Sequence, residues 1–290
     1  MAETFAYSVP EDRAIETVRA ALASPIRFLD TAASYGDGES ERRIGLVLRE
    51  RQTGLLPNYV LSTKADRDLK TGDFSGDQIK RSIERSLRLL GLDRLQLVFL
   101  HDPEHTTFDA VMAPSGPVEV LQRFKAEGVI DHIGVAGGPI ELMMRYVDTG
   151  AFEAVITHNR FTLLNRSAEP LIEMASRRGL GVLNAAPYGS GMLAKGPEAY
   201  PRYAYSQASP DLVARATAMA DVCRTYGIPL AAAALQFSVR DPRIVSTIVG
   251  MSRPERFQQT LDLAAVPIPE EVWPELDKHL GPLGDPESGR

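Results

Sequence analysis

One cysteine stands among 290 residues. A disulfide within the chain is therefore excluded. Cys223 lies in "ATAMADVCRTYG", among small and apolar residues at helical spacing, which predicts a buried core thiol. Long apolar runs are also missing. None approaches the ~20 residues a membrane helix needs. The opening "MAETFAYSVPEDR" lacks the basic start and apolar stretch of a signal peptide. The expectation is a cytoplasmic protein with no membrane partner. Basic charge is in short supply: 32 Lys and Arg face 38 Asp and Glu, for a net charge of -6. That balance argues against nucleic acid or an anionic membrane as the main partner. Three chemical signatures are absent too. The five histidines are scattered and have no metal-ligand spacing, so no metal is expected. No G-x-S-x-G elbow for acyl transfer occurs. No G-x-G-x-x-G follows the first strand. The nearest candidate, "GVAGG" at 134–138, lacks the spacing and reads as a tight strand-to-helix turn.

What the chain does have is an alternation. Short β-branched runs recur at 26–30, 59–64, 95–101, 132–137, 154–159, 181–186 and 245–250. Between them lie stretches with apolar residues every three or four positions: 10–23, 40–52, 75–90, 117–127, 139–148, 168–178, 210–226, 229–239 and 254–264. Several open on Pro, Ser or Asp, as helix starts do. "SRPE" at 252–255 reads as a capping box with Ser252 as N-cap. Strands alternating with helices over the whole length mean a parallel sheet covered by helices. The missing dinucleotide fingerprint favours the closed (β/α)8 TIM barrel over the open sheet. The expected domain is one barrel over 1–290, with 281–290 as a flexible tail. Seven strands are counted rather than eight, and the chain begins on a loop-like segment.

In such a barrel, function collects where strands run into the loops after them. Strand 26–30 ends in Asp30, with Tyr35 just beyond, in "FLDTAASYGDGESERRIG". Strand 59–64 ends in Lys64, and strand 95–101 in His101. Each has a plain structural reading: Asp30 as a turn cap, Tyr35 as packing, Lys64 as a solvated charge, His101 as part of a local turn with Asp102. Four such residues at the same end of successive strands also make one chemical set. A phenol is a poor acid or base at neutral pH. A nearby ammonium favours the phenolate. A carboxylate keeps that ammonium charged and oriented, and a histidine can hydrogen-bond a carbonyl oxygen. The set suits proton transfer built around a tuned tyrosine.

"FLDTAASYGDGESERRIG", "LSTK", "LHDPE", "IGVAGG" and "TIVGMSRPERFQQTL" together resemble the aldo-keto reductase superfamily, in order and spacing, from about residue 8 to about residue 280. "RFTLLNRSAEPLIEMASRRGLGVLNAAPYGSGMLAKG" and "QFSVRDPRIVSTIVGMSRPE" are most similar to its D-threo-aldose (L-fucose) 1-dehydrogenase branch. The resemblance implies a barrel of aldo-keto reductase type and hydride transfer between a nicotinamide and a carbonyl or alcohol carbon. Asp30, Tyr35, Lys64 and His101 then form the catalytic tetrad. Tyr35 is the general acid or base, Lys64 tunes it with Asp30, and His101 orients the substrate oxygen.

The resemblance also implies a cofactor site, with departures. The family's Ser-Asn after the fifth strand reads Ala136-Gly137 here, and its Gln on the sixth strand reads His158. The stacking aromatic falls at Ala185, with Tyr188 as its candidate replacement and Ser190 close by. Gly250, Met251, Ser252, Arg256, Gln259 and Thr260 match the adenosine-phosphate site. A lysine expected at the end of the last strand is Gly250, which implies use of NAD, with NADP tolerated. The family's N-terminal hairpin and first strand are absent, and a start codon placed too late is the expectation. Tyr200, Tyr203 and Tyr205, in the loop 194–210, suit sugar stacking or loop packing equally. The substrate expected is a small molecule, a sugar or aldehyde. The remaining readings are a broad aldehyde reductase, a pyridoxal-type dehydrogenase, a non-catalytic nicotinamide sensor, and a barrel disabled by its missing strand. The oligomeric state has no signature in the sequence.

Overall fold

The computed structural model describes residues 9–51, 55, 57–281 and 284–287. In chain order its elements are α1 (Glu11–Ala23), β1 (Phe28–Asp30), α2 (Glu39–Glu50), β2 (Val60–Ala65), α3 (Gly76–Leu90) and β3 (Leu95–His101). Next come a 3-10 turn (Pro103–His105), α4 (Phe108–Met112), α5 (Pro117–Ala126), β4 (Ile130–Ala136), α6 (Ile140–Asp148), β5 (Ala154–His158), α7 (Glu169–Arg177) and β6 (Gly181–Ala185). The last part holds a 3-10 turn (Gly189–Gly191), α8 (Met192–Lys195), β7 (Arg202–Tyr203), β8 (Ser206–Gln207), α9 (Pro210–Thr225), α10 (Leu230–Val239), β9 (Ile244–Ile248), α11 (Glu255–Ala265) and α12 (Val272–Asp277). Seven strands form a parallel sheet in the order β1-β2-β3-β4-β5-β6-β9, the fold class of a (β/α)8-type barrel. β7 and β8 pair as a separate small hairpin.

Each predicted strand and helix is present within a few residues of its expected bounds. The short elements α4, α8, α12 and the β7–β8 hairpin were not foreseen, because two to six residues show no measurable period. α11 starts at Glu255, so Ser252 stands three residues ahead of the first helical residue rather than directly at the N-cap. Residue 52, the predicted end of the second helix, and the start of the chain at 1–8 lie outside the described residues.

Contacts within the chain group into two compact units. The first takes residues up to 138, together with 142–155 and 251–257. Helix α3 illustrates why its pieces form. Ser75 caps it by accepting the Gln78 N–H, and Gly91 ends it in the left-handed region. Its buried face is Ile79, Ser82, Ile83, Ser86 and Leu90, at helical spacing. Burying Ile79, Ile83 and Leu90 contributes on the order of 1.5–3 kcal/mol each. β3 reads "LQLVFLH", a nearly unbroken apolar run, and Val98, Phe99 and Leu100 are fully buried. The register pairs Asp30 with Ser62, Lys64 with Phe99, and His101 with Ala136. Each strand thus carries its polar residue two positions beyond the partner of its neighbour's: Lys64 lies two past Ser62 and His101 two past Phe99, all three at the C-terminal ends of adjacent strands.

The second unit takes 139–141, 156–250 and the residues from 258 on. Its core joins Leu164, Met192, Ala216, Met219, Ala233, Ala234 and Val272. Cys223 belongs to this core, and burial pushes its thiol up to about 11, as an inert packing residue requires.

Candidate active site

The first unit gathers the four rim residues into one cluster. Asp30 ends β1 and Lys64 sits one residue before the end of β2. Lys64 Nζ lies 2.5 Å from Asp30 Oδ2 and donates a second bond to the Thr31 carbonyl at 2.8 Å. Asp30 Oδ1 accepts from Ser62 Oγ at 2.6 Å. Both carboxylate oxygens are thus occupied, and the lysine is fixed in place at 3% exposure. Burial pushes the Lys64 ammonium down, but Asp30 and Tyr35 outweigh that and hold it above its ordinary range. Lys64 therefore stays charged.

Tyr35 lies on the loop between β1 and α2, where Gly36 and Gly38 adopt positive φ and turn the chain into the helix. Lys64 Nζ stands 4.7 Å from the Tyr35 ring centroid. The His101 ring meets Tyr35 edge-on at 6.0 Å. The phenol differs from expectation in one respect. Desolvation raises its pKa, Lys64 lowers it, and the net direction is upward. The lysine tunes the tyrosine, but it does not overcome the loss of water around the hydroxyl. The residue as a whole is 44% exposed, so solvent screens part of that penalty.

Asp66 was not singled out in the sequence. It follows β2 directly, and alternation puts it on the same side as Lys64. Its Oδ1 lies 2.5 Å from His101 Nδ1, and its Oδ2 accepts the Ser34 N–H at 2.8 Å. Burial pushes His101 down, yet Asp66 and Asp102 outweigh it and raise the imidazole above its usual range. Burial likewise pushes Asp66 up, and His101 with Ser34 pulls it below the usual carboxylate range. Asp102 Oδ1 lies 3.6 Å from the other ring nitrogen. The signal available in the sequence was the spacing "KAD", two ionisable residues at one strand end.

The nicotinamide candidates after β4 offer no side chain. A Cβ at Gly137 would come within 2.7 Å of Glu104 Oε2 and 2.8 Å of Met143 Sδ. The Gly138 N–H already donates to Glu104 Oε1 at 2.8 Å. Met251 and Ser252, on the segment that leads into α11, and Arg256, in its first turn, belong to this unit, and Arg253 and Arg256 are exposed.

In the second unit, His158 ends β5 and its Nε2 lies 3.3 Å from Glu287. Asn159 Nδ2 donates to the same carboxylate at 3.1 Å, and the buried Arg160 donates to Asp285 at 2.6 Å. Burial pushes Glu287 up, but His158 and Arg160 hold it below the usual range. These contacts of residues 284–287 had no precursor in the sequence pattern, because 125 or more positions separate the partners. Ser190 Oγ donates to Asn159 Oδ1 at 3.2 Å and accepts the Tyr205 N–H at the same distance. Tyr188 packs against the core of this unit. Tyr203 is buried, and its hydroxyl donates to the Asn159 carbonyl, so for this tyrosine the packing reading holds. Gly250 is exposed, and a Cβ there would meet nothing within 4 Å. Gln259 and Thr260 lie on α11, exposed and half-buried. No described helix is long and apolar enough to cross a membrane.

The chain is similar to proteins of established activity. The Pseudomonas sp D-threo-aldose 1-dehydrogenase is 33% identical over 93% of this chain and 88% of its own length. The Arabidopsis thaliana L-galactose dehydrogenase is 29% identical over 95% and 86%. Among solved structures, an aldo-keto reductase of Bacillus halodurans in its holo form matches with a TM-score of 0.77 at 22% identity, covering 94% of this chain and 89% of that one. The model of the aldo/keto reductase family matches residues 3–281, and with that match the chain belongs to this family of oxidoreductases, whose members use nicotinamide cofactors.

Proposed function

We propose that the protein is an NAD(P)-dependent oxidoreductase of sugars or related small carbonyl compounds, working as an aldose 1-dehydrogenase. The observation that carries the reading is the Asp30–Lys64 pair at 2.5 Å with its ammonium 4.7 Å from the Tyr35 ring. A buried ion pair costs desolvation, and placing one under a phenol at a strand end has a ready purpose in proton transfer. The sugar assignment rests on the two curated relatives, both named as sugar dehydrogenases.

The residues present suit a dinucleotide in part through new means. Gly250 leaves open space, the exposed Arg253 and Arg256 can meet phosphate, and the chain entering α11 offers N–H groups. Ala136 and Gly137 carry no side-chain donor for the carboxamide, and within the second unit His158, Asn159 and Ser190 are its polar candidates. When bound, a nicotinamide would accept or supply the hydride. The chain handles the proton. In oxidation, the substrate hydroxyl gives its proton to Tyr35 as phenolate, whose charge Lys64 stabilises. In reduction, the Tyr35 hydroxyl gives a proton to the oxygen of the reacting carbonyl. Holding acid and substrate in register is worth several orders of magnitude beyond the proton transfer itself.

The test is purified protein with each nicotinamide cofactor against a panel of aldoses and simple aldehydes, followed at the nicotinamide absorbance. Cofactor-dependent turnover with aldoses preferred is the expected result. Turnover of aldehydes alone would replace the sugar reading with a broad reductase. Cofactor binding without turnover of any substrate would favour a sensor.

A further inference from the structure

We infer that Asp66 is a positioning residue that fixes His101 through Nδ1 and thereby decides whether His101 donates to, or accepts from, the substrate oxygen. The inference rests on the reading of Asp30, Tyr35, Lys64 and His101 as the reacting set.

The geometry is specific. Asp66 has no spare freedom. Its Oδ1 meets His101 Nδ1 at 2.5 Å, its Oδ2 takes the Ser34 N–H at 2.8 Å, its own N–H goes to Ser82 Oγ at 3.0 Å, and its carbonyl accepts from Gln78 at 3.1 Å. Ser34 precedes Tyr35. One carboxylate therefore ties the tyrosine loop, the end of β2 and the histidine at the end of β3. Asp66 and Lys64 are two residues apart on one side of β2, so a single strand end serves both proton-handling groups: a cation for the phenol, an anion for the imidazole.

The consequence follows from the hydrogen-bond inventory of histidine. An ionised Asp66 accepts only, so Nδ1 must carry a proton. The remaining proton of the imidazolium then sits on Nε2, which can donate to a carbonyl oxygen. When His101 becomes neutral, the proton lost is the one on Nε2. That nitrogen then presents a lone pair and can accept from an alcohol hydroxyl. The same side chain thus suits carbonyl reduction when charged and alcohol binding when neutral. Without Asp66 either tautomer is open, and the alternation is lost.

Other groups face the ring. Asp102 lies 3.6 Å from Nε2 and reinforces the charged form, while Lys64 opposes it. Tyr35 contacts the ring edge-on, and His105 with Arg67 lies on the loops beyond. Glu41, on α2, acts on Asp66 from behind. Asp66 is the only one of these within hydrogen-bond distance of Nδ1 among the described residues.

The test is a titration of His101 by ring nitrogen NMR in the wild type and in Asp66→Asn, alongside pH–rate profiles in both directions. In the wild type the neutral ring should appear as the Nδ1–H form. In Asp66→Asn the His101 midpoint should fall by about one pH unit or more, the effect of removing a contacting carboxylate. Carbonyl reduction at neutral pH should fall about ten- to a hundredfold in kcat with little change in cofactor affinity. Asp66→Glu should restore part of the His101 midpoint, and it serves as the second variant if the asparagine protein folds poorly. A neutral Nε2–H form in the wild type, or a midpoint unchanged in both variants, overturns the inference. If Tyr35→Phe keeps full turnover while His101 still shifts, the tetrad reading has failed and the Asp66–His101 coupling stands.

Discussion

Tyr35 carries two opposing influences, and their balance decides how the enzyme should respond to pH. Loss of water around the hydroxyl favours the neutral phenol, Lys64 favours the phenolate, and the phenol prevails. The site is therefore held in its acid form at neutral pH. The contribution of Tyr35 to reduction, which uses the protonated form, should be constant until the alkaline range, so that a fall of the reduction rate below that range reports loss of the His101 proton. Oxidation, which needs the phenolate, should rise with pH through that range. Measuring kcat in both directions from pH 6 to pH 10 checks this, and an oxidation rate that falls as pH rises would remove Tyr35 from the role of base. Tyr35→Phe should lower kcat by ~10²–10⁴ and leave cofactor affinity nearly unchanged. Lys64→Met should do likewise, because its charge is what partly offsets the desolvation of the phenol. At this scale the clustering of the four rim residues was legible in the sequence. Asp30, Tyr35, Lys64 and His101 each follow or end an apolar strand, and a barrel puts such positions on one rim. Asp66 was not legible, because its role depends on a 2.5 Å approach to His101 across two strands. No periodicity encodes that approach.

Among elements, the packing of α2 on β2 and α3 contains a carboxyl group with little reason to be charged. Glu41 on α2 is fully buried. Its Oε1 accepts from Thr63 Oγ1 at 2.6 Å. Its Oε2 and the buried Ser86 Oγ of α3 both lack a hydrogen bond of normal geometry, although the Ser86 hydroxyl lies close enough to favour the carboxylate. Burial outweighs Thr63 and Ser86 and raises the carboxyl above its usual range. The sign follows directly. A carboxyl whose folded pKa is raised contributes its stability below the unfolded value and loses it as pH rises through the folded one. Glu41→Gln keeps the shape, removes the titration, and gives an amide N–H that can donate to Ser86. One such bond is worth ~1 kcal/mol, or about 2–4 °C in a protein of this size. The variant should melt higher than the wild type at pH 8, and the gap should narrow toward pH 4. A gap that widens on acidification would mean that Glu41 is a stabilising anion. Long elements such as α3 were visible from their apolar period. The burial of Glu41 was not, because "GESERRIG" reads as a polar helix start whose Glu39 and Glu41 look alike. Only Glu41 faces β2.

Across the described residues, resemblance and structure agree on the strand and helix order, and the family match extends across residues 3–281. What such agreement does not carry is the choice of cofactor, which depends on a few charges at the end of β9 and the start of α11. A lysine and an arginine together bind the 2′-phosphate where the family prefers NADP. Here the lysine position is Gly250, and Arg256 remains with Arg253 beside it in sequence. Losing one of two cations should cost ~1.5–3 kcal/mol of phosphate binding, the range for hydrogen bonds to charged groups. That is about a ten- to hundredfold loss. Arg256 alone can stack on adenine as readily as it pairs with phosphate. NAD should therefore be used at least as well as NADP. Because a side chain at Gly250 would meet nothing within 4 Å, Gly250→Lys can be accommodated without repacking. It should move the ratio of kcat/KM toward NADP by about tenfold or more while leaving kcat with NAD largely intact. Both ratios come from one substrate and two cofactors. A wild-type preference for NADP above about a hundredfold would overturn the argument and assign the phosphate to Arg253 and Arg256 together, in which case replacing either arginine, rather than adding a lysine, would be the change that moves the ratio.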